Sequence, residues 1–162
     1  IRKHDCQYVV HSTNRLNWSF IRRDMILKSP STLRACGRQC DPVGHRFLGD
    51  PEDFLDYIHF APYQSVHTEF VVLSAQMGRI VCSETTYYMP GVRLYLDNHA
   101  MIRAGLVVRD GLHHSKVKDS LNLNRFMILA VEGYKVKERW TPRGLCDYAT
   151  ELFERHVGKD AT

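Results

Sequence analysis

The stretch that decides the fold reads YVVHSTNRLNWSFIRRDM and runs from Tyr8 to Met25. Its first residues are aromatic or β-branched, which predicts a strand. Apolar residues then recur every three or four positions from Trp18 onward, which predicts a helix capped by Thr13 or Asn14. The triplet His11-Ser12-Thr13 is therefore expected where the strand ends and the helix begins.

The rest of the chain alternates short apolar runs with turn residues, as in a mixed helix-and-strand fold. Asp97 is placed to cap a short helix that Gly105 ends, and Thr141 with Pro142 begins a longer helix near the end of the chain. The fold class that this pattern predicts is α+β. The strands predicted after the first are 57–60, 69–73, 79–82, 92–96, 106–109 and 126–131.

Length and composition predict one domain over residues 1–162. Hydrophobic residues make up 44% of the chain and charged residues 25%, which favours a globular domain over a disordered or fibrous one. The first residue is Ile1 rather than Met, so we expect the domain to be excised from a longer chain. The longest apolar runs, Phe70 to Ser74 and Phe126 to Val131, have the length of strands, so no membrane partner is expected.

Charge and cysteine content bear on partners and compartment. The net charge of +4 suits a phosphate-bearing ligand or nucleic acid. The five cysteines are odd in number and mostly scattered, which favours reduced thiols and an intracellular compartment. Cys36, Cys40 and His45 lie close in sequence, but a single pair without a second predicts no metal site.

Residues 28–49 are rich in proline, glycine and serine and lack a sustained period, which predicts a long irregular loop. Loops of this length are often functional, so we expect this one at the mouth of a ligand cleft. Asp50 and Pro51 then match the cap and first turn of a short helix that runs to about Leu55.

Three short patterns follow one another along the chain. They are His11-x-Thr13 before a helix with Trp18 and Ile21, the strand Tyr57-Ile58-His59-Phe60, and a strand, Asp97, helix, Ala104-Gly105, strand unit. In this order they resemble the RNA 2′-phosphotransferase family and, more loosely, the ADP-ribosyltransferase superfamily. The long loop between the first helix and the next aromatic strand is similar to that of DNA-modifying ADP-ribosyltransferase toxins.

The resemblance implies an ADP-ribosyltransferase-like split β-sheet with an NAD cleft and short flanking helices. NAD would be the co-substrate, nicotinamide would be released, and ADP-ribose would pass to an RNA phosphate, a nucleic-acid base or a protein. A flat cationic ring gains from an aromatic face, so Tyr63 is expected to stack on nicotinamide. The residues expected at NAD are His11, Ser12, Thr13, His59 and Tyr63.

Glu132, Glu69 and Arg93 are the candidates for the catalytic group. Glu132 ends an apolar run, Glu69 is expected to open a strand, and Arg93 lies on the strand that resembles the family's central one. A carboxylate in the cleft would hydrogen-bond the ribose 2′-hydroxyl and stabilise an oxocarbenium-like transition state as nicotinamide leaves. His11 is expected to hold a ribose of the cofactor rather than to act as a general base.

A second interpretation is a catalytically degenerate or unrelated basic α+β module that binds nucleic acid or a protein partner. The family places an arginine just before its His-x-His strand, whereas this chain has Leu55 and Asp56 there and Tyr57 at the first histidine. These departures favour the second interpretation. Its binding surface would be the basic region with His114, Lys116, Lys118 and Arg125.

Overall fold

The first strand and helix lie where the sequence predicts them in the computed structural model, which describes residues 1–37, 52–111 and 114–158. Strand β1 is Tyr8–Thr13 and helix α1 is Arg15–Asp24. The remaining elements are β2 (Ile26–Lys28), α2 (Pro30–Ala35), a 3-10 helix (Glu52–Asp56), β3 (Tyr57–Pro62), α3 (His67–Met77), β4 (Val92–Asp97), α4 (Asn98–Arg103), β5 (Val107–Asp110), β6 (His114–Lys118), β7 (Ser120–Asn122), α5 (Leu123–Phe126), β8 (Met127–Glu132), two 3-10 turns (Gly133–Lys135 and Lys137–Arg139) and α6 (Pro142–Val157).

Asn14 rather than Thr13 caps α1. Its side chain accepts a hydrogen bond from the backbone N–H of Asn17 at 2.8 Å. The apolar period of the sequence places Trp18 and Ile21 on the buried side of the helix. The turn from strand to helix is therefore fixed by a local cap and by burial of the helix.

Six strands form one antiparallel sheet in the order β5-β6-β3-β1-β4-β8, and β2 with β7 forms a second, two-stranded sheet. β1 pairs with β4 along its whole length, from Tyr8 to Thr13. On its other side β1 pairs with β3 only at Val9 and Val10. The end of β1 is therefore joined to β4 and separated from β3.

The six-stranded sheet has two different faces because side chains alternate along each strand. The face that we call the α1 face packs against α1, α4, α5 and the two-stranded sheet, with Val9, Trp18 and Leu94 in its core. The opposite face, which we call the α6 face, packs against α6, with Val10 and Phe153 in its core.

The predicted strand at residues 69–73 was wrong, because these residues lie in helix α3. The β-branched residues of this run favour a strand locally. However, Glu69, Val72 and Leu73 recur at helical spacing, and all three are buried. Burial of one helix side therefore outweighs the local preference. Residues 79–82 also form no strand.

The predicted irregular loop begins with a helix. Ser29 caps α2 by accepting a hydrogen bond from the backbone N–H of Thr32 at 3.2 Å, and Pro30 occupies the first turn. Serine and proline are turn residues, but in this order they are also a helix start. The expectation of an irregular segment was therefore wrong for residues 30–35.

Several predictions fall on residues outside the described ranges. Cys40, His45 and the expected helix cap Asp50 are among them. Cys36 is described and is an exposed free thiol. The expected short helix is present in part as the 3-10 helix Glu52–Asp56.

The predicted α+β class is confirmed by the mixed set of elements. Asp97 caps α4 by accepting from the backbone N–H of Ala100, and Thr141 caps α6 by accepting from that of Gly144, each at 3.0 Å. Among the helices that the structure describes, none is long and apolar enough to cross a membrane.

Candidate functional site

His11 lies near the end of β1, where the strand separates from β3. Its Nδ1 atom lies 3.1 Å from the main-chain oxygen of His59, and its ring meets the ring of Phe60 edge-on at 5.9 Å between centroids. A carbonyl oxygen only accepts, so Nδ1 carries the proton and Nε2 keeps its lone pair. Burial lowers the pKa of His11, so the ring is neutral at neutral pH. Within the described residues nothing hydrogen-bonds to Nε2, which remains an acceptor.

Thr13 and Glu132 lie at the same end of the sheet and on the same α1 face as His11. Thr13 is opposite Val92 on β4, and Val92 is opposite Glu132 on β8. Residues opposite each other share a face, and so do His11 and Thr13, which are two positions apart. Strand geometry places Thr13 about 10 Å from Glu132 and about 7 Å from His11. We call these three residues the rim site.

Glu132 is held in place by α1 and by the turn after β8. Its Oε2 accepts from Trp18 Nε1 at 3.1 Å and from the Tyr134 hydroxyl, and its Oε1 accepts from Lys135 Nζ at 3.1 Å. Partial burial alone would raise the pKa of Glu132, but the hydrogen bonds from Tyr134, Lys135 and Trp18 lower it to about 2. The carboxylate is therefore ionised and oriented, and 24% of the side chain remains exposed.

Three cationic side chains lie around this carboxylate. Arg22 Nη1 lies 3.5 Å from Glu132 Oε2, and Arg15 lies over the ring of Tyr134 at 4.4 Å from its centroid. The third cation is Lys135. Three positively charged side chains therefore surround the single negative charge of Glu132. The N-terminus of α1 adds a partial positive charge. This end of the sheet favours an anionic ligand such as a diphosphate.

A groove of about 550 Å³ adjoins Glu132 beside β8, the last strand in the sheet order. Its lining is mainly apolar and includes Leu129, Val131 and Leu152. Glu132 and Lys135 also line it. The groove therefore lies on the α6 side of β8 and meets Glu132 only at the end of that strand.

Gly91 brings the ends of three strands together. A Cβ atom at this position would lie 1.8 Å from the main-chain oxygen of Thr13. The carbonyl oxygen of Gly91 also accepts from the backbone N–H of Gly133 at 2.9 Å. Because only glycine allows this approach, Gly91 holds the end of β1 next to the end of β8.

Ser12, Glu69 and Arg93 lie on the α6 face, away from His11 and Thr13. Ser12 Oγ donates to Glu69 Oε2 at 2.5 Å, and Arg93 Nη1 donates to the same oxygen at 3.2 Å. The side chains of Arg93 and Glu69 are 0% and 1% exposed. A ligand at the rim site therefore contacts neither charged group.

The buried ion pair is satisfied within the protein. Arg93 donates from Nε to the Tyr95 hydroxyl at 3.0 Å, from Nη1 to the main-chain oxygen of Ser65 at 3.1 Å and from Nη2 to that of Tyr63 at 3.0 Å. The second oxygen of Glu69 accepts from the Tyr88 hydroxyl. The pair therefore ties β4 to the turn before α3.

Tyr63 and the His59 ring are also placed away from the rim site. Tyr63 is 6% exposed, donates to Glu154 Oε2 at 3.2 Å and packs against Phe153 on the α6 face. The His59 ring stacks on Phe54 at 3.9 Å between centroids. β1 and β3 are neighbouring strands, but His59 offers its main-chain oxygen to His11, and its ring does not lie beside that of His11.

Sequence reasoning missed the residues that hold Glu132. The helical spacing predicted only that Trp18 belongs to a helix, and Tyr134 and Lys135 were given no role. The available signal was the segment Glu132-Gly133-Tyr134-Lys135, in which donors follow a carboxylate at the end of an apolar strand. Within the described residues, no group of three or more His, Cys, Asp or Glu side chains is arranged to hold a metal ion.

Comparison of the chain with family models, with characterised proteins and with solved structures gave no match. The chemistry of the rim site therefore has to be argued from its own residues.

Proposed function

We propose that the chain is an NAD-dependent ADP-ribosyltransferase, which releases nicotinamide and passes ADP-ribose to an acceptor. The observation that carries the proposal is the rim site, in which His11, Thr13 and Glu132 share one face and one end of the sheet. The separation of β1 from β3 beyond Val10 supports a split sheet of the ADP-ribosyltransferase type with its NAD cleft.

NAD binding is assigned to groups with free hydrogen-bonding capacity. Nε2 of His11 accepts from a ribose hydroxyl. The Thr13 hydroxyl already accepts from Asn17 Nδ2 at 3.2 Å, so its own proton is available to the ligand. Arg15, Arg22 and the start of α1 attract the diphosphate.

Glu132 acts on the reacting ribose. The bond between C1′ and the nicotinamide nitrogen breaks, the electron pair leaves with nicotinamide, and positive charge develops on the ribose. The ionised carboxylate accepts a hydrogen bond from the 2′-hydroxyl and stabilises that charge. The acceptor atom then bonds to C1′; a base or side-chain acceptor loses its proton to solvent, and an ionised phosphate oxygen has none to lose. A pKa of about 2 makes Glu132 a weak base, so its role is electrostatic.

The acceptor is a nucleic-acid phosphate or base, or a protein side chain. The surplus of positive charge around Arg15, Arg22 and Lys135 favours the nucleic acid.

A basic binding module is the alternative function, and the outer side of β6 favours it. Lys116 Nζ lies over the ring of Tyr57 at 4.3 Å from its centroid, and His114 and Lys118 are exposed on the same side of β6. Such a surface suits nucleic acid. Arg125 lies on α5, which packs on the α1 face, so the structure does not bring it together with the other three.

A transfer assay separates the two functions. The chain is incubated with NAD labelled in the adenylate part and with RNA, DNA and protein acceptors, and label on each acceptor is measured. Transfer that His11→Ala reduces, while His67→Ala on the exposed side of α3 does not, supports the transferase. Binding of nucleic acid without any transfer, and without NAD binding in calorimetry, supports the module.

A further inference from the structure

Side-chain hydrogen bonds connect β1 to β3 on one face of the sheet and to α3 on the other, where Ser12 Oγ lies 2.9 Å from Thr68 Oγ1 as well as close to Glu69. On the α1 face, Nδ1 of His11 donates to the main-chain oxygen of His59 at 3.1 Å. On the α6 face, Ser12 Oγ donates to Glu69 Oε2 at 2.5 Å. Backbone pairing between the two strands ends at Val10. Side chains therefore connect β1 to β3 and α3 at the point where main-chain hydrogen bonding between β1 and β3 ends.

The Glu69 carboxylate, on α3, is held in place by several hydrogen bonds. It lies in the first turn of α3, which follows β3 after a short turn. Arg93 binds both the carboxylate and the main-chain oxygens of Tyr63 and Ser65 in that turn. Tyr88 donates to the other carboxylate oxygen. Because the ion pair is fully buried, a shift of the carboxylate would break several hydrogen bonds at once.

We infer that Ser12, Glu69 and Arg93 are positioning residues for the rim site. They set the width of the opening between β1 and β3, and the set width keeps Nδ1 of His11 on the main-chain oxygen of His59. That bond in turn presents the Nε2 lone pair to the ligand. The inference rests on the proposed function only for the identity of the ligand, since the hydrogen bond of His11 exists without it.

Two variants that remove one hydroxyl each provide the test. Ser12→Ala and Tyr88→Phe both delete a donor to the Glu69 carboxylate, but only Ser12 connects that carboxylate to β1. Nitrogen NMR of the imidazoles, with His11 assigned through His11→Gln, reports which nitrogen of His11 carries the proton. Calorimetry with NAD reports the affinity.

In Ser12→Ala we expect the proton of His11 to be shared between Nδ1 and Nε2, and NAD affinity to fall about fivefold to tenfold. In Tyr88→Phe the proton should stay on Nδ1, and affinity should remain within about twofold of the unchanged protein. Ser12→Thr, which keeps the hydroxyl, should restore the proton to Nδ1. The inference is overturned if Ser12→Ala leaves the proton on Nδ1, or if Tyr88→Phe moves it equally.

Failure of the proposed function gives a different result. If the unchanged protein does not bind NAD, the transferase proposal fails, but the protonation of His11 in the two variants still decides the positioning role. If NAD binds and the His11 signals do not respond to Ser12→Ala, the positioning role alone is wrong.

Discussion

His11 and His59 are joined by a hydrogen bond from a ring nitrogen to a main-chain oxygen, at 3.1 Å and in the place where the backbone pairing of β1 and β3 has ended. The bond fixes the tautomer of His11, because the carbonyl oxygen requires a donor. A neutral, half-buried imidazole with one occupied and one available nitrogen is suited to hold a hydroxyl of a ligand. Among the residues that the structure describes, no carboxylate bonds to this ring to orient it as a base.

Replacing His11 should reduce NAD affinity rather than the rate of the chemical step. Loss of one or two hydrogen bonds should cost about 1 to 3 kcal/mol of binding, which is roughly a tenfold to hundredfold loss of affinity in His11→Ala. His11→Gln keeps a donor and an acceptor and should recover part of the loss. Calorimetry measures the affinities. Unchanged affinity together with abolished turnover in both variants would show that His11 belongs to the chemistry.

Replacing Glu132 should reduce the rate of the chemical step rather than NAD affinity. Glu132→Gln keeps the size of the side chain but removes the negative charge that would face the developing oxocarbenium ion. Turnover should fall about a hundredfold to a thousandfold, while NAD affinity changes by less than about threefold. Single-turnover transfer of labelled ADP-ribose measures the step. Glu154→Gln, which alters a carboxylate on the α6 face, is the matched control and should retain activity.

Mild acid should destabilise the fold through His11. Burial holds the folded pKa of His11 below its ordinary value of 6.5, so the unfolded chain takes up a proton that the folded chain resists. The stabilisation is complete above about pH 6.5 and is lost as pH falls toward the folded pKa. Urea unfolding between about pH 7.5 and about pH 5.5 should show the loss, and His11→Gln should reduce the slope. The pKa of Glu132 is lowered to about 2 from an ordinary 4.5, so its contribution is lost only at more acidic pH.

The sequence predicted the elements whose signals are local. β1 is a run of β-branched and aromatic residues, and α1, α4 and α6 each begin directly after a residue that caps the helix, so these signals lie within or next to the element. β6 and β7 were missed because their alternating polar residues look like a solvated turn. Glu69 was placed on a strand because the choice between helix and strand there depends on burial against the rest of the protein.

The candidate site was predicted only in part, because the face of a strand depends on register. Ser12 is adjacent to His11 in sequence and lies on the opposite face of the sheet. Glu132 is far from Thr13 in sequence, yet β4 brings the two into one row. Arg93 has the residue type of an anion-binding group, but its position opposite Ser12 directs it into the buried ion pair.

Gly91 should tolerate no side chain. A Cβ atom would lie 1.8 Å from the main-chain oxygen of Thr13, and backbone rather than a flexible side chain would have to move. Gly91→Ala should therefore lower the free energy of unfolding by at least about 3 kcal/mol. Gly78→Ala is the control, because that glycine has a φ of +68° and open space around it, so only about 1 to 2 kcal/mol of backbone strain is expected. Equal losses in urea unfolding would contradict the close contact.

The ion pair of Glu69 and Arg93 should behave as a buried pair whose members depend on each other. Arg93→Met leaves a carboxylate without its cation in the core, and Glu69→Met leaves a guanidinium without its anion, so each should cost about 3 to 5 kcal/mol of stability. The double variant removes both charges and should be less destabilised than the sum of the singles, since no unpaired charge remains. Urea unfolding of the four proteins measures the coupling. Glu151→Ala breaks the surface pair with Arg155, whose side chains are both 62% exposed, and should leave the midpoint almost unchanged. Additive losses in the double variant would mean that the two charges are stabilised separately by their hydroxyl and carbonyl partners, and that the buried pair does not act as one unit.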